Sequence, residues 1–179
     1  MRFVITLLAG LALAPPAGAQ KLELKLDAIA AKASDKAEVD LDGAILKLAL
    51  PQVLSKKDKE GKSPVSDLLS GVREIHVRHY EFAKAGSFSD KDLEPLRKQV
   101  SEGGTGWSRI VHVKKDDEST EVFMQSEGGK IGSCLILAAE AKELSVVYLV
   151  GTMTVAQMKG LADPGAVDSL AALAQLRSK

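Results

Sequence analysis

Four strand-like runs in quick succession, joined by connectors too short to cross a sheet, constrain this chain more than any other feature. They are Trp107–Lys114, Thr120–Ser126, Ile131–Ala139 and Leu144–Val150. Between them stand Lys115-Asp116-Asp117-Glu118, Gly128-Gly129 and Glu140-Ala141-Lys142-Glu143. A parallel pair needs a crossover of about a dozen residues or more, whereas a hairpin closes in two to five. The four runs are therefore expected to form an antiparallel meander. The third and fourth are apolar almost throughout, the pattern of strands covered on both faces.

Upstream, Arg73–Phe82 mixes apolar and polar residues with period two and reads as another strand. Ser89–Val100 has helical spacing that buries Leu93, Leu96 and Val100. Pro95 is awkward in that helix if Ser89 caps it, and comfortable in the first turn if Asp92 does. Val39-Asp40-Leu41-Asp42-Gly43 reads as a very short strand or turn. In Lys21–Ala33 the alternation of Leu22, Leu24 and Leu26 gives way to helical spacing at Ile29, Ala30 and Ala33. Ala44–Leu50 suits a buried helix ended by Pro51, and Ser63-Pro64 opens a short helix. Thr154-Val155-Ala156-Gln157 fits a capping box. The expected class is α+β: a mainly antiparallel sheet of about five strands, beginning with Arg73–Phe82, with helices packed chiefly on one face. If Arg73–Phe82 and the first meander strand are parallel neighbours, the helix between them crosses over right-handed.

The first residues give an address. Arg2, the apolar run Phe3–Ala14, the break at Pro15-Pro16 and the small residues Ala17-Gly18-Ala19 have the order of a secretory signal peptide, 1–19, cleaved between Ala19 and Gln20. The apolar run is shorter than the roughly twenty residues a membrane span needs, and no lipidation cysteine stands at the cleavage point. The expected mature chain is one domain over 20–179, periplasmic or secreted, with no membrane anchor. Within it, 55–62 reads as a mobile loop, since 56–62 contain no apolar residue. The C-terminal helix 163–179 carries Val167, Leu170, Ala171 and Ala174 on one stripe; the sequence leaves open whether it joins the core or swings free.

Charge and cysteine usage narrow the partners. The whole chain has 24 basic and 24 acidic side chains, and loss of Arg2 leaves 23 against 24, a net charge of −1. That balance argues against nucleic acid, which calls for a basic face. Cys134 is the only cysteine, so no internal disulfide forms, and its apolar setting reads as a packed, inert thiol.

No catalytic, cofactor-binding or metal-ligating set stands out. His76 and His79 would point to opposite faces of a strand and could not share a metal without a bulge; His112 could approach one of them, but two imidazoles without a placed carboxylate make a poor site. Gly103–Gly106 has the glycines of a phosphate loop in the wrong context, after a helix and before a strand. No serine sits in a nucleophile elbow. Trp107 beside Arg109 could be a recognition surface or a tryptophan packed under a helix. Arg78, Trp107 and Arg109 are the candidate interaction residues.

The chain resembles the bacterial family known as domain of unknown function 4252. The resemblance rests on Val39-Asp40-Leu41-Asp42-Gly43, on Gly71-Val72-Arg73-Glu74-Ile75 leading to Val77-Arg78 and Tyr80-Glu81-Phe82, and on Gly106-Trp107-Ser108-Arg109-Ile110-Val111. It continues through Glu127-Gly128-Gly129-Lys130-Ile131-Gly132, Ala138 to Leu144, and Val146-Val147 up to Gly151. Tyr148 and Ala141 stand where the family pattern suggests a small polar residue and a proline. The resemblance implies export and supplies no catalytic residues. The expected function is a non-catalytic protein-interaction or regulatory module whose partner is another envelope protein. The alternatives are a small-ligand or lipid carrier, its cavity lined by 44–54 and 167–176, and an enzyme with an unrecognised site.

Overall fold

The computed structural model describes residues 22–46, 70–101 and 106–158. The expected signal peptide over 1–19, loop over 55–62, helix opened by Ser63-Pro64 and C-terminal helix over 163–179 all lie outside these residues. Along the chain come α1 (Asp27–Ala30), β1 (Asp35–Asp42), β2 (Val72–Glu81), α2 (Asp90–Ser101), β3 (Trp107–Lys115), β4 (Glu118–Glu127), β5 (Lys130–Ala139), β6 (Glu143–Met153) and α3 (Val155–Met158). The strands form one sheet in the order β1-β2-β6-β5-β4-β3, antiparallel at every junction.

The meander is the expected one, β3 to β6. The sheet has six strands rather than about five, because Asp35–Asp42 pairs with β2 along its whole length from Asp35↔Glu81 to Asp42↔Glu74. Acidic residues with poor strand propensity occupy half of β1, which conceals it in the sequence. β2 and β3 are not neighbours; β6 enters beside β2 antiparallel, and α2 carries the chain across one face to the far edge.

Both faces of the sheet are buried. On one, Leu22, Leu26 and Ile29 of the N-terminal segment and Leu93, Leu96 and Val100 of α2 cover Tyr80, Phe123, Leu135, Leu137, Leu144, Val146 and Tyr148. The other holds Val39, Ile75, Val77, Val122, Cys134, Ile136, Val147 and Leu149, with Leu46 and Met158 packed on them. Residues 43–46 are helical and Met158 ends α3, so described helical residues lie against both faces, with α1 and the longer α2 together on the first. Alternation explains the division, as residues two apart in a strand share a face. β5 and β6, buried on both sides, are apolar nearly throughout.

Turn chemistry sets the hairpins. Gly128 and Gly129 both adopt positive φ (58° and 77°), as a two-residue hairpin turn of this hand requires. Asp116 (φ 49°) plays the corresponding part between β3 and β4, a conformation aspartate tolerates better than most residues.

In α2, Ser89 is the cap. Its backbone N–H and its hydroxyl both donate to Asp92 Oδ2, at 2.8 and 3.0 Å. Pro95 therefore sits inside the helix, where it lacks the N–H for the bond to Lys91, and burial of Leu93, Leu96 and Val100 offsets that loss. Pro95→Ala is expected to stabilise the fold by about 1–2 kcal/mol, read as a higher urea midpoint at unchanged slope. The capping box of α3 is formed: Gln157 N–H donates to Thr154 Oγ1 at 3.3 Å, and Thr154 N–H to Gln157 Oε1 at 2.8 Å.

Candidate functional site

β3 is an edge strand that pairs with β4 alone among the described residues. Its nine residues are exposed except for a half-buried Trp107. Gly106 starts it with φ 95°, and a Cβ there would lie 2.6 Å from the Ser126 carbonyl oxygen, so the chain closes onto β4 only through glycine. Pairing runs from Trp107↔Gln125 to Arg109↔Phe123, skips Ile110, and resumes at Val111↔Val122. Ile110 is thus the extra residue of a bulge.

The bulge sorts the side chains. Val111, Val113 and Lys115 fall on the face of Val122, while Trp107, Arg109, His112 and Lys114 fall on the face of Phe123 and α2. Ile110, Val111 and Val113 stand open to solvent at 51%, 36% and 57% of their surface. Three β-branched residues within four positions are thus exposed on an edge strand, an arrangement that edge strands usually avoid.

On the α2 face, Glu121 of β4 anchors this edge. It is only 2% exposed, yet ionic contacts surround it: Arg97 Nη2 lies 2.6 Å from Oε1 and Arg109 Nη1 lies 3.1 Å from Oε2. Arg97 Nε also donates to Oε1 at 2.8 Å, and its remaining donors reach Asp90 and Glu94. Burial works against the charge of Arg97, but Asp90 and Glu121 outweigh it and hold the guanidinium pKa above its usual value. A small cleft of about 180 Å³ lies between α2 and β3, lined in part by Arg109, His112 and Lys114.

The opposite edge is acidic. On β1, Glu38 and Asp40 share the α1/α2 face with His76 and Arg78 of β2. Arg78 reaches both Asp40 oxygens, at 2.9 and 3.1 Å, and also donates to the Val39 and Val77 carbonyls. His76 lies between Asp40 (Nδ1 at 2.6 Å) and Glu74 (Nε2 at 3.3 Å) and stacks on Tyr148 at 5.7 Å. The Tyr80 hydroxyl donates to Glu38 at 3.1 Å, and burial together with that carboxylate raises its pKa well above the usual phenol value. An open cleft of about 640 Å³ adjoins this cluster, bounded by Leu22–Leu24 of the N-terminal segment.

The nominated residues are thus only partly brought together. Trp107 and Arg109 share one face of β3, with Trp107 packed against the apolar cluster under α2. Arg78 lies four strand spacings away, about 19 Å, with its guanidinium engaged by Asp40. His76 and His79 point to opposite faces, as alternation requires: His76 stacks on Tyr148, whereas His79 Nδ1 is 2.9 Å from Ser145 Oγ. Cys134 is fully buried, and desolvation pushes its thiol up to about 12. Sequence reasoning missed Ile110, Val111 and Val113, whose apolar character reads as core until β3 is known to be an edge. It also missed the alternation of Glu38, Asp40 and Asp42 with Ala37, Val39 and Leu41, which was the available signal for β1.

A family model described as a domain of unknown function, DUF4252, matches residues 31–161, spanning β1 to α3. The chain belongs to this family. The match takes in both edges of the sheet and every residue of the two polar clusters except those of the N-terminal segment. No curated protein and no solved structure matches the chain. No described helix is long and apolar enough to cross a membrane.

Proton binding should register in stability through three aspartates. Arg97 and Lys114 hold Asp90 below the usual carboxylate range, and Lys32 with Ser89 does the same for Asp92. Burial pushes Asp40 up, but Arg78 and His76 outweigh it, so its pKa is also lowered. A depressed folded-state pKa stabilises the fold above the ordinary value near 3.8 and loses that contribution as pH falls through the folded value. Denaturation midpoints should hold level from neutrality toward pH 5 and fall below about pH 4. Asp90→Asn should make that acid limb shallower.

Proposed function

We propose that this member of the family is an exported, non-catalytic protein-interaction module of the bacterial envelope, and that it docks along β3. The observation carrying this reading is the edge strand itself, with Ile110, Val111 and Val113 turned outward and Arg109, His112 and Lys114 on its other face. A partner strand laid on such an edge takes affinity from main-chain hydrogen bonds and selectivity from alternate side chains. Glu121 of β4 joins Arg97 of α2 to Arg109 of β3, which helps hold the edge in place and limits the ordering entropy that opposes docking. Export is supported by the signal-like order of residues 1–19, and the near-zero net charge suits a protein partner.

The test is cross-linking in intact cells followed by recovery of the tagged chain. Val111→Asp with Val113→Asp should abolish the recovered partner, while the folded content stays unchanged because both side chains are exposed. Undiminished recovery with this double variant would rule out β3 as the docking edge.

A second reading, a carrier of a small polar ligand, draws on the cleft beside Asp40, His76 and Arg78. Its lining combines Glu23 and Asp40 with Arg78 and His76, both of which Asp40 already engages, and adds Leu22 and Leu24 for an apolar group. Native mass spectrometry of gently extracted protein would support it by showing an added mass that Arg78→Ala removes. The bare polypeptide alone would count against it.

A further inference from the structure

We propose that the strand received by β3 is β1 of a second copy of this chain, so that copies join edge to edge, head to tail, into one continuous sheet. This rests on the reading of β3 as the docking edge and names its partner.

Strand direction permits the junction. Six strands alternating in direction leave β1 and β3 antiparallel to each other at opposite edges. A second copy placed beside the first therefore sets its β1 antiparallel to β3, with like faces on the same side. On the face of Val122, the exposed Val111 and Val113 then meet the flanks of Ala37, Val39 and Leu41. On the α2 face, Arg109, His112 and Lys114 meet Glu38, Asp40 and Asp42.

Charge selects both the pairing and its register. β3 contains Arg109, His112, Lys114 and Lys115 with no acidic residue, whereas β1 contains Asp35, Glu38, Asp40 and Asp42 with Lys36 its only base. Two β3 edges would bring cations together and two β1 edges would bring carboxylates together, so like edges repel and unlike edges attract. One register sets Lys114 opposite Glu38, Val113 opposite Val39, His112 opposite Asp40 and Val111 opposite Leu41. Past the Ile110 bulge it brings Arg109 opposite Asp42. Sliding two residues one way sets Lys114 opposite Lys36; sliding two the other way carries Arg109 beyond the end of β1.

The side chains that meet reach solvent while holding partners in their own copy. Glu38 and Lys114 are 44% and 61% exposed, and Asp40 remains open beside Arg78. Twist of roughly 20–25° per strand turns each copy by about 120–150° relative to the last, which carries the helices of neighbouring copies apart. Each junction between unlike edges adds an advance along the continuing sheet to the twist, so neither a dimer nor a ring closes and the product is an open series.

Analytical ultracentrifugation of the purified chain over a concentration series tests this. The wild type should show a mass that keeps rising with concentration without a plateau at the dimer. Lys114→Glu and Glu38→Lys should each move association to concentrations at least about ten-fold higher. An equimolar mixture of the two variants should regain it. One of its junctions joins the two substituted side chains, opposite in charge with the signs exchanged, and the other is the wild-type pair. The double variant should regain it alone, which also shows that neither substitution acts by unfolding. A wild type monomeric throughout, a dimer that goes no further, or single variants without rescue on mixing would overturn the proposal. If the chain is monomeric while cells still yield a partner that Val111→Asp with Val113→Asp abolishes, self-pairing fails and the docking reading stands. If that partner is missing as well, both fail.

Discussion

Glu121→Ala should destabilise the fold by about 3 kcal/mol, a large share of the 5–15 kcal/mol that holds a domain of this size together. Glu121 is buried with both oxygens engaged, and the substitution leaves Arg97, itself largely buried, facing an empty site. The gross attraction is not the quantity lost. Breaking a buried pair is costly because the surviving charge is left without its partner. Asp90 and Glu94 still hold the outer side of Arg97, which keeps the cost at the lower end of the usual range for such breaks. Removing the whole arrangement is a different experiment. Glu121→Leu with Arg97→Met should recover most of the stability, since two apolar side chains of similar bulk replace two desolvated charges. Arg109→Ala should cost about 1 kcal/mol or less, because its guanidinium is half exposed. Urea denaturation of the variants separates these cases. An Arg109→Ala loss equal to that of Glu121→Ala would show that the anchor works through β3 rather than through α2.

Gly151→Val should be at least as damaging, at about 3 kcal/mol or more. Gly151 of β6 lies where β6 passes the start of β2, and a Cβ there would run into the Gly71 carbonyl oxygen and come within 2.7 Å of Val72 Cα. Gly71 has the reciprocal restriction against the Thr152 carbonyl oxygen. Both obstacles are backbone, so no side chain can swing aside, and the two strands would have to part. The Thr152 N–H to Gly71 carbonyl bond, 2.9 Å, would be lost, and the β2–β6 junction that joins β1 and β2 to the meander would loosen. Gly132→Ala is the control, since a Cβ there meets nothing within 4 Å and should change the midpoint little. Equal losses at Gly132 and Gly151 would mean that general strand propensity, not the close approach, sets the cost.

Much of this architecture was legible in the sequence because its signals are local. Connector lengths force the meander, the spacing of Leu93, Leu96 and Val100 gives α2 though not which of Ser89 and Asp92 caps it, and Thr154 with Gln157 gives the start of α3. β1 shows only as a very short strand or turn over 39–43, because Asp35, Glu38, Asp40 and Asp42 suit turns as readily as an exposed edge. Only pairing with β2 makes Asp35–Asp42 a strand. Long-range pairing also decided which apolar residues are surface. Val111 and Val146 look equivalent as sequence, yet one lies on an edge strand and the other at the sheet centre with no exposure. The same holds for the site. Trp107 and Arg109 could be nominated from adjacency, but the Glu121 bridge between α2 and β3 joins residues whose association depends on the fold alone. Nor does spacing reveal that Arg78 spends its donors on Asp40 and two carbonyls.

The most direct measurement of the central claim is a photo-reactive side chain placed at Val113 of β3 in intact cells, with the same group at Lys142 for comparison. Both positions are exposed, but Lys142 lies in the turn between β5 and β6 at the middle of the sheet, away from both edges. Docking along β3 predicts a discrete adduct of higher mass from Val113, carrying either a second copy of the chain or one other protein, and none from Lys142. No adduct from Val113, or the same adducts from both positions, would contradict it.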